Sequence, residues 1–152
     1  MLTMKGKYGL KAMVYLASAP PGRLTQSVEI ATADTISKKF LDAILGDLRN
    51  AGLIYARKGR NGGYGLSRPP GEIKVGHILR VVDGPLAPIS CASRTAYRRC
   101  DDCRSEDHCA VRLVMLEVRN AISAVLDEKS LAELAAMPML ISDGLDELAI
   151  NA

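Results

Sequence analysis

Residues 37–67 decide the fold of this chain, and they read SKKFLDAILGDLRNAGLIYARKGRNGGYGLS. Ser37 is a favoured helix-capping residue, and the apolar residues after it recur at i, i+3, i+4 and i+7: Leu41, Ile44, Leu45 and Leu48. Gly52 suits the left-handed conformation that ends many helices. Two short strand candidates, 53–56 and 64–67, then flank a basic, glycine-rich loop, which is typical of a β-hairpin. The stretch therefore predicts a capped amphipathic helix followed by a hairpin.

Two more helices are predicted on the amino-terminal side of this stretch. The first spans Tyr8–Ala19 and stops at Pro20-Pro21-Gly22, and the second runs from about residue 25 to Ala33. Three helices followed by a hairpin form the winged-helix arrangement. In that arrangement the third helix enters the major groove of DNA and the hairpin tip touches the backbone or the minor groove.

On the carboxy-terminal side, a fourth amphipathic helix is predicted from Val75 to Val82, and periodicity is then lost until about residue 108. The longest helix is expected from about Cys109 to Leu126, with an apolar stripe formed by Val111, Val114, Val118, Ala121, Ile122 and Val125. A helix longer than a small domain needs favours pairing with a second copy. A capping box at 130–133 predicts a last short helix.

These elements predict a mainly α fold with a small β-hairpin: a winged helix-turn-helix plus a long carboxy-terminal dimerisation helix. The expected divisions are a DNA-binding domain at 1–84, a cysteine-rich metal or cluster loop at 85–109, the dimerisation helix and short helix at 110–136, and a flexible tail at 137–152.

Charge is divided unevenly along the 152 residues, of which 48% are hydrophobic and 24% charged. Residues 1–80 hold 13 Lys and Arg against 5 Asp and Glu, a net charge of +8, whereas residues 81–152 hold 7 against 12, a net charge of −5. A basic half beside an acidic half is typical of a polyanion-binding module with a separate appendage, although a solvated basic surface is the alternative. No membrane-spanning run or signal peptide is recognised, so we expect a cytoplasmic protein with no membrane partner.

The candidate DNA-binding residues lie at the start of the third helix and in the hairpin loop. They are Ser37, Lys38, Lys39, Arg57, Lys58, Gly59, Arg60 and Asn61. Cations in the first turn of a helix are disfavoured by the helix dipole, and crowded loop cations repel one another, so both groups favour an external anion such as a DNA phosphate. Taken singly, the lysines could be plain surface residues and the loop an ordinary turn; the combination is what indicates DNA.

All four cysteines lie in one segment with the spacing C-x8-C-x2-C-x5-C: Cys91, Cys100, Cys103 and Cys109. In a reducing compartment, clustered cysteines are more often metal ligands or redox groups than structural disulfides. Thiolates suit an iron-sulfur cluster or zinc, and the spacing does not choose between them. A redox pair at Cys100 and Cys103 is a third possibility. We find no catalytic triad, paired carboxylates or nucleotide-binding loop, so no enzyme and no catalytic residue is predicted.

Several segments resemble the bacterial regulators grouped with IscR, NsrR, RirA and CymR. They are Leu2-Thr3 with Lys5-Gly6-Lys7-Tyr8, Ile36-Ser37-Lys38-Lys39-Phe40-Leu41, Leu48-Arg49-Asn50-Ala51-Gly52-Leu53, Lys58-Gly59 with Gly62-Gly63-Tyr64, and Val81-Val82-Asp83-Gly84. The resemblance implies a homodimeric transcription factor in which each subunit reads one half of a palindromic operator in double-stranded DNA.

The same resemblance favours an iron-sulfur cluster of unspecified type as the cofactor. Cluster-binding members have three loop cysteines, which Cys91, Cys103 and Cys109 match, and Cys100 is an additional thiol. Their fourth ligand is a histidine or an acidic residue, where this chain has Arg112 and Lys7, so we hypothesise that Cys100 completes the site. The expected function is a regulator that senses iron, cluster status, redox state or nitric oxide; the alternatives are a zinc-stabilised or thiol-redox regulator without a cluster, and lastly a thiol oxidoreductase.

Overall fold

The structure, a computed structural model, describes residues 2–142. The described residues form six α-helices and one two-stranded antiparallel sheet, which agrees with the predicted mainly α fold with a hairpin. The helices are α1 (Met4–Ser18), α2 (Ser27–Ala33), α3 (Lys38–Asn50), α4 (Val75–Val82), α5 (Ala110–Glu128) and α6 (Leu131–Ser142). The strands are β1 (Ile54–Arg57) and β2 (Gly63–Leu66), and short 3-10 turns lie at Pro70–Glu72 and Ser90–Ala92.

Helix α3 is built as its sequence predicts. The Ser37 hydroxyl oxygen accepts a hydrogen bond from the Phe40 amide at 3.3 Å, and the predicted apolar face, Leu41, Ile44, Leu45 and Leu48, is fully buried. At the other end Gly52 has φ +73°, and the Leu53 amide donates to the Leu48 carbonyl at 3.0 Å. The core around α3 contains Met13 of α1, Ile30 of α2 and Ile78 of α4.

Helix α1 starts at Met4, four residues before the predicted start at Tyr8. The Thr3 hydroxyl accepts from the Gly6 amide at 3.2 Å, and the Asp83 carboxylate accepts from both the Thr3 amide and the Thr3 hydroxyl. Gly6 lies against Asp83, and a Cβ on Gly9 would lie 3.0 Å from Val82. Glycine is a poor helix former, which hid this turn in the sequence, but here it permits the close approach of α1 to the end of α4.

The hairpin pairs Ile54 with Leu66 and Arg57 with Gly63, so each strand is shifted by one residue from its predicted bounds. Thr25 forms a bridge to Tyr64 outside the two strands, with N···O distances of 3.0 and 2.8 Å. This bridge ties the hairpin to the segment before α2. The hairpin therefore has a fixed base beside the helical core.

Helices α5 and α6 follow the cysteine-rich segment. α5 packs along α4 and α6 packs along α1, and Leu131 at the start of α6 is fully buried. The predicted capping box is present, since the Ser130 amide donates to Glu133 at 2.8 Å and the Glu133 amide to the Ser130 hydroxyl at 3.1 Å. Within the described residues, no helix is both long and apolar enough to cross a bilayer.

The last helix is longer than the predicted division implies. Helix α6 extends to Ser142, whereas the tail was expected from residue 137. The rest of the predicted flexible tail, 143–152, lies outside the described residues.

The hairpin base gives a test of the fold. Gly63 has φ +146°, and an added Cβ would lie 2.7 Å from the Thr25 carbonyl oxygen, so Gly63→Ala is expected to destabilise the protein by about 1–3 kcal/mol. Gly46→Ala is the control, because an added Cβ meets nothing within 4 Å in the middle of α3 and the change should stabilise by about 0.5–1 kcal/mol. Urea unfolding measures both; equal midpoints for the two variants would contradict the assigned role of Gly63.

Candidate nucleic-acid interface and cysteine site

The first turn of α3 presents its polar side chains to solvent. Ser37, Lys38 and Lys39 are exposed, on the side opposite the buried face of the helix. The Lys38 ammonium lies 2.6 Å from the Asp42 carboxylate, one turn further along. The hydrogen bond to Asp42 and its charge raise the pKa of Lys38. Lys38 is therefore paired with a carboxylate in the free protein. Lys39 has no hydrogen bond or ion pair to any described residue, so Lys39 is the cation of this turn that favours an external anion.

Glycines determine the backbone shape of the hairpin tip. The Gly62 amide donates to the Gly59 carbonyl at 3.0 Å, which closes the turn, and Gly59 has φ +112°. A Cβ on Gly62 would collide with the Arg57 carbonyl oxygen, so this position also requires glycine. The turn leaves its remaining side chains in solvent.

The cations of the hairpin tip have no partners among the described residues. Arg57, Lys58, Arg60 and Asn61 are exposed, and none of the described carboxylates forms an ion pair with the three cations. Helix α3 packs against β1, and the Tyr64 phenol of β2 makes a minor contribution to the raised pKa of Lys38. The structure thus places the predicted DNA-binding residues on two adjoining, exposed elements.

The four cysteines line one cavity of about 510 Å³. Cys91 lies in the 3-10 turn and is buried, Cys100 is exposed, and Cys103 and Cys109 are half-buried. The Sγ atoms of Cys100 and Cys91 are 3.8 Å apart. The hydrogen bond to Cys91, followed by charge repulsion with Cys91, raises the pKa of Cys100, so this thiol resists ionisation when no cation is bound.

Polar contacts hold the cysteine-rich segment in shape. The Tyr97 hydroxyl donates to Glu106, which raises the pKa of Tyr97, and the Arg99 guanidinium donates to the Cys103 carbonyl at 2.9 Å. Arg112 of α5 donates through Nε to the Cys91 carbonyl at 3.0 Å. Arg112, at the position where the resemblance predicts a histidine ligand, thus lines the cavity and supplies a cation that anchors Cys91 to α5.

The chemistry of these side chains fits a thiolate-bound group. Two thiolates on one tetrahedral metal, with metal–sulfur bonds of about 2.3 Å, lie about 3.8 Å apart, which matches the separation of Cys91 and Cys100. In the part of the chain that the structure describes, however, no three His, Cys, Asp or Glu side chains are gathered closely enough to hold a metal ion. Cys103 and Cys109 would therefore have to move inward from the cavity wall when a metal or cluster binds.

The other candidate ligands either lie outside this cavity or already form a hydrogen bond within it. Lys7, the second position where the resemblance predicts a ligand, is exposed on α1 and lines a different groove. His108 lines the cysteine cavity, and its Nδ1 lies 3.0 Å from the Ser105 hydroxyl. Sequence reasoning missed the Lys38–Asp42 pair and the Arg112 anchor. The i, i+4 spacing of Lys38 and Asp42 could have revealed the first, whereas the second depends on tertiary packing.

Comparison with known proteins supports one family for nearly all of the described residues. Residues 2–137 match the Rrf2 family model, described as "Iron-dependent Transcriptional regulator". The HTH-type transcriptional regulator rrf2-like of Rhodobacter capsulatus is 40% identical, over 90% of this chain and 93% of its own length. The solved structure of CymR (YrzC), the global cysteine regulator of B. subtilis, is 32% identical, with a TM-score of 0.74 over 90% of this chain and 97% of that one. T. potens IscR is 30% identical, with a TM-score of 0.69 over 88% of this chain and 85% of its own.

Proposed function

The chain belongs to the Rrf2 family of transcriptional regulators, and from that premise we propose that it is a homodimer whose affinity for a palindromic operator is set by an iron-sulfur cluster held by its four cysteines. The relatives are named as transcriptional regulators, so the chain is assigned to regulation and not to catalysis. One observation carries the proposal: the chain has two distinct sites. Exposed cations without partners among the described residues lie on α3 and the hairpin, and one cavity elsewhere is lined by all four cysteines. Such a regulator acts on DNA in the cytoplasm.

DNA binding is supported by the placement of charge. Lys39, Arg57, Lys58 and Arg60 are exposed on elements whose backbones are fixed by the Ser37 cap and by the glycine turn. Phosphate contacts from such cations give affinity and register, while side chains of the first turn of α3 are placed to meet base edges in the major groove. Lys38 can contact a phosphate only if it gives up its ion pair with Asp42, so we expect Lys38 to contribute less to DNA affinity than Lys39.

Dimerisation is supported by the outer face of α5. An exposed apolar stripe on this face consists of Val111, Val114, Val118, Ala121 and Val125, spaced 3, 4, 3 and 4 apart as in the seam of a coiled coil. The four valines are 63%, 51%, 39% and 61% exposed, which is unfavourable in water unless a second copy covers them. The opposite face of α5 is half-buried against the same chain, so the valine stripe is available to pair with a second α5.

Cofactor binding is supported by the donor set. Cys91, Cys100, Cys103 and Cys109 would hold the cluster, which when bound supplies a centre sensitive to iron supply, oxidants and nitric oxide. Cys100 takes the place of the fourth ligand because Arg112, at the position of a ligand in relatives, is a cation occupied with the Cys91 carbonyl. Zinc on the same four thiols is the alternative cofactor.

A second candidate rests on the closeness of Cys91 and Cys100. Their sulfurs lie 3.8 Å apart and need to approach to about 2.05 Å to form a disulfide. With a peroxide as the oxidant, the two thiols lose two electrons and two protons, and the peroxide is reduced to water or an alcohol. A thiol-redox regulator would therefore use the same pair without any cluster.

Two polar contacts connect the cysteine-rich segment to the DNA-binding domain through α5. Arg112 joins Cys91 to α5, and Arg80 of α4 forms a two-pronged ion pair with Asp127 of α5, at 2.5 and 2.8 Å. When the four thiols are no longer held together, residues 85–109 can reorder and shift α5 against α4. Because α5 carries the dimer face and α4 belongs to the DNA-binding domain, the shift changes the spacing of the two DNA-binding domains.

The hairpin contact is tested by removing one charge. Lys58→Gln should weaken operator binding and lower the slope of log Kobs against log salt by about 0.9 for the lost phosphate contact. Arg68→Gln, an exposed charge beyond the hairpin, removes the same charge elsewhere and should leave the slope unchanged. Fluorescence anisotropy at several salt concentrations measures both, and equal losses would show a general charge effect in place of a contact.

The dimer face is tested by placing a charge in it. Val114→Asp should weaken the dimer at least about a hundredfold, since symmetry buries two carboxylates in the interface. Val28→Asp on α2 is the control, because Val28 is as exposed as Val114, at 51%, but lies away from α5. Analytical ultracentrifugation gives the dissociation constants; a dimer unaffected by Val114→Asp would refute this interface.

The cofactor is tested by anaerobic purification with iron, sulfide and zinc analysis and an absorption spectrum. Wild type and His108→Ala should hold iron and sulfide, whereas Cys100→Ser should lose most of both because it removes a ligand. Wild-type amounts in Cys100→Ser would overturn its assignment, and zinc without sulfide would establish the alternative cofactor. Wild-type protein that binds the operator identically with and without its iron would refute cluster control of DNA binding, whereas Cys103→Ser, which lacks a ligand, should bind DNA with no response to iron.

A further inference from the structure

A second polar cavity, of about 250 Å³, lies between α4, the segment that follows it and α5. It shares no lining residue with the cysteine cavity. Three guanidinium groups and three hydroxyl groups line it, from Arg80, Arg94, Arg119, Ser93, Thr95 and Ser123. None of the acidic residues that the structure describes is in this lining, so its polar groups are all able to donate hydrogen bonds to an anion.

Only one of the three cations in this cavity is neutralised. Arg80 forms its two-pronged ion pair with Asp127, and the hydrogen bond to that carboxylate raises the pKa of Arg80. Arg119 is half-buried and donates only to the neutral Asn120 amide oxygen, at 3.1 Å from Nε. Arg94 has no hydrogen bond or ion pair to any described residue. Two positive charges thus share a small space without a counter-charge from the described chain.

The hydroxyl groups are also available. The Ser93 oxygen accepts from the Ala96 amide at 3.0 Å, which leaves its hydrogen free to donate, and Ser93 is buried. Thr95 and Ser123 form no side-chain hydrogen bond with the described residues. Like charges in a partly enclosed site are unfavourable until an anion joins them, and this arrangement offers that anion both charge and directed donors.

We propose that this cavity binds a small oxyanion: a phosphate, a sulfate or the carboxylate of a small metabolite. The volume lies below the range of ordinary drug-sized ligand pockets, which excludes a nucleotide and favours a single anionic group with little else attached. Pro85, Leu86 and Ala87 form an apolar wall that suits a short carbon chain if the anion is organic.

The cavity lies where an anion would affect regulation. Ser93, Arg94 and Thr95 follow Cys91 closely in sequence, and Arg119 and Ser123 belong to the helix that carries the valine stripe. A bound oxyanion joins the cysteine-rich segment to α5 through charge-assisted hydrogen bonds, independently of any group on the cysteines. The chain would then respond to a small metabolite as well as to the state of its thiols.

Isothermal titration of the full chain with inorganic phosphate, sulfate and succinate in low-salt buffer tests the site. At least one probe is expected to bind with a Kd of about 1 mM or tighter, and Arg119→Gln and Arg94→Gln should each weaken it about tenfold or more, since each removes charged hydrogen bonds. The tighter probe identifies the source: phosphate or sulfate indicates an inorganic anion, and succinate indicates a carboxylate metabolite.

Arg98→Gln is the matched control, because Arg98 is an exposed arginine of the same segment that does not line the cavity. It should leave the Kd within about twofold. The proposal is overturned if no probe binds below about 20 mM, or if Arg98→Gln weakens binding as much as Arg119→Gln. Since Arg94 is exposed, Arg94→Gln should fold normally, and the measurement requires neither DNA nor a metal, so failure here leaves the proposed regulator function untouched.

Discussion

Burial of one face of α3 is the constraint on which the rest of the DNA-binding unit depends. Leu41, Ile44, Leu45 and Leu48 are completely buried, and each contributes about 1.5–3 kcal/mol relative to exposure in water. A cation in the first turn costs only about 0.3–1 kcal/mol against the helix dipole. The apolar face therefore sets the rotation of the helix, and Lys38 and Lys39 are turned to solvent at a cost that the core easily exceeds.

The connection between the DNA-binding unit and α5 is of a different kind. α5 has no fully buried residue: half-buried side chains pack it along α4, and polar contacts that include Arg80–Asp127 and the Arg112–Cys91 hydrogen bond add to its attachment. Contacts between partly exposed groups are worth little individually, so the position of α5 is far easier to shift than that of α3. This difference in rigidity suits a regulator: the DNA-binding elements stay intact while their spacing in a dimer changes.

The segment between α4 and α5 contains most of the side chains that could bind a cofactor or a small ligand. It contributes to the cavity lined by thiols and to the cavity lined by arginines and hydroxyls, and α5 forms part of the wall of both. Few apolar side chains in this segment are buried, so its shape depends on polar contacts such as Tyr97–Glu106 and Arg99–Cys103. Ligands that gather the thiols or neutralise the arginines act on the part of the chain that is least fixed by the core.

Local patterns in the sequence determined the helices, the hairpin and the candidate residues. The spacing of Leu41 to Leu48, the Ser37 cap, the glycines of the hairpin tip and the C-x8-C-x2-C-x5-C spacing act within a few residues, and the structure retains all of them. The start of α1 was hidden because glycine is a poor helix former, and its cap depends on Asp83, eighty positions away. Only the tertiary structure decided which side chains meet, because no local pattern encodes such contacts. Folding of the segment between α4 and α5 brings Cys91 to Cys100, and packing of that segment on α5 forms the Arg112 anchor and the arginine cavity.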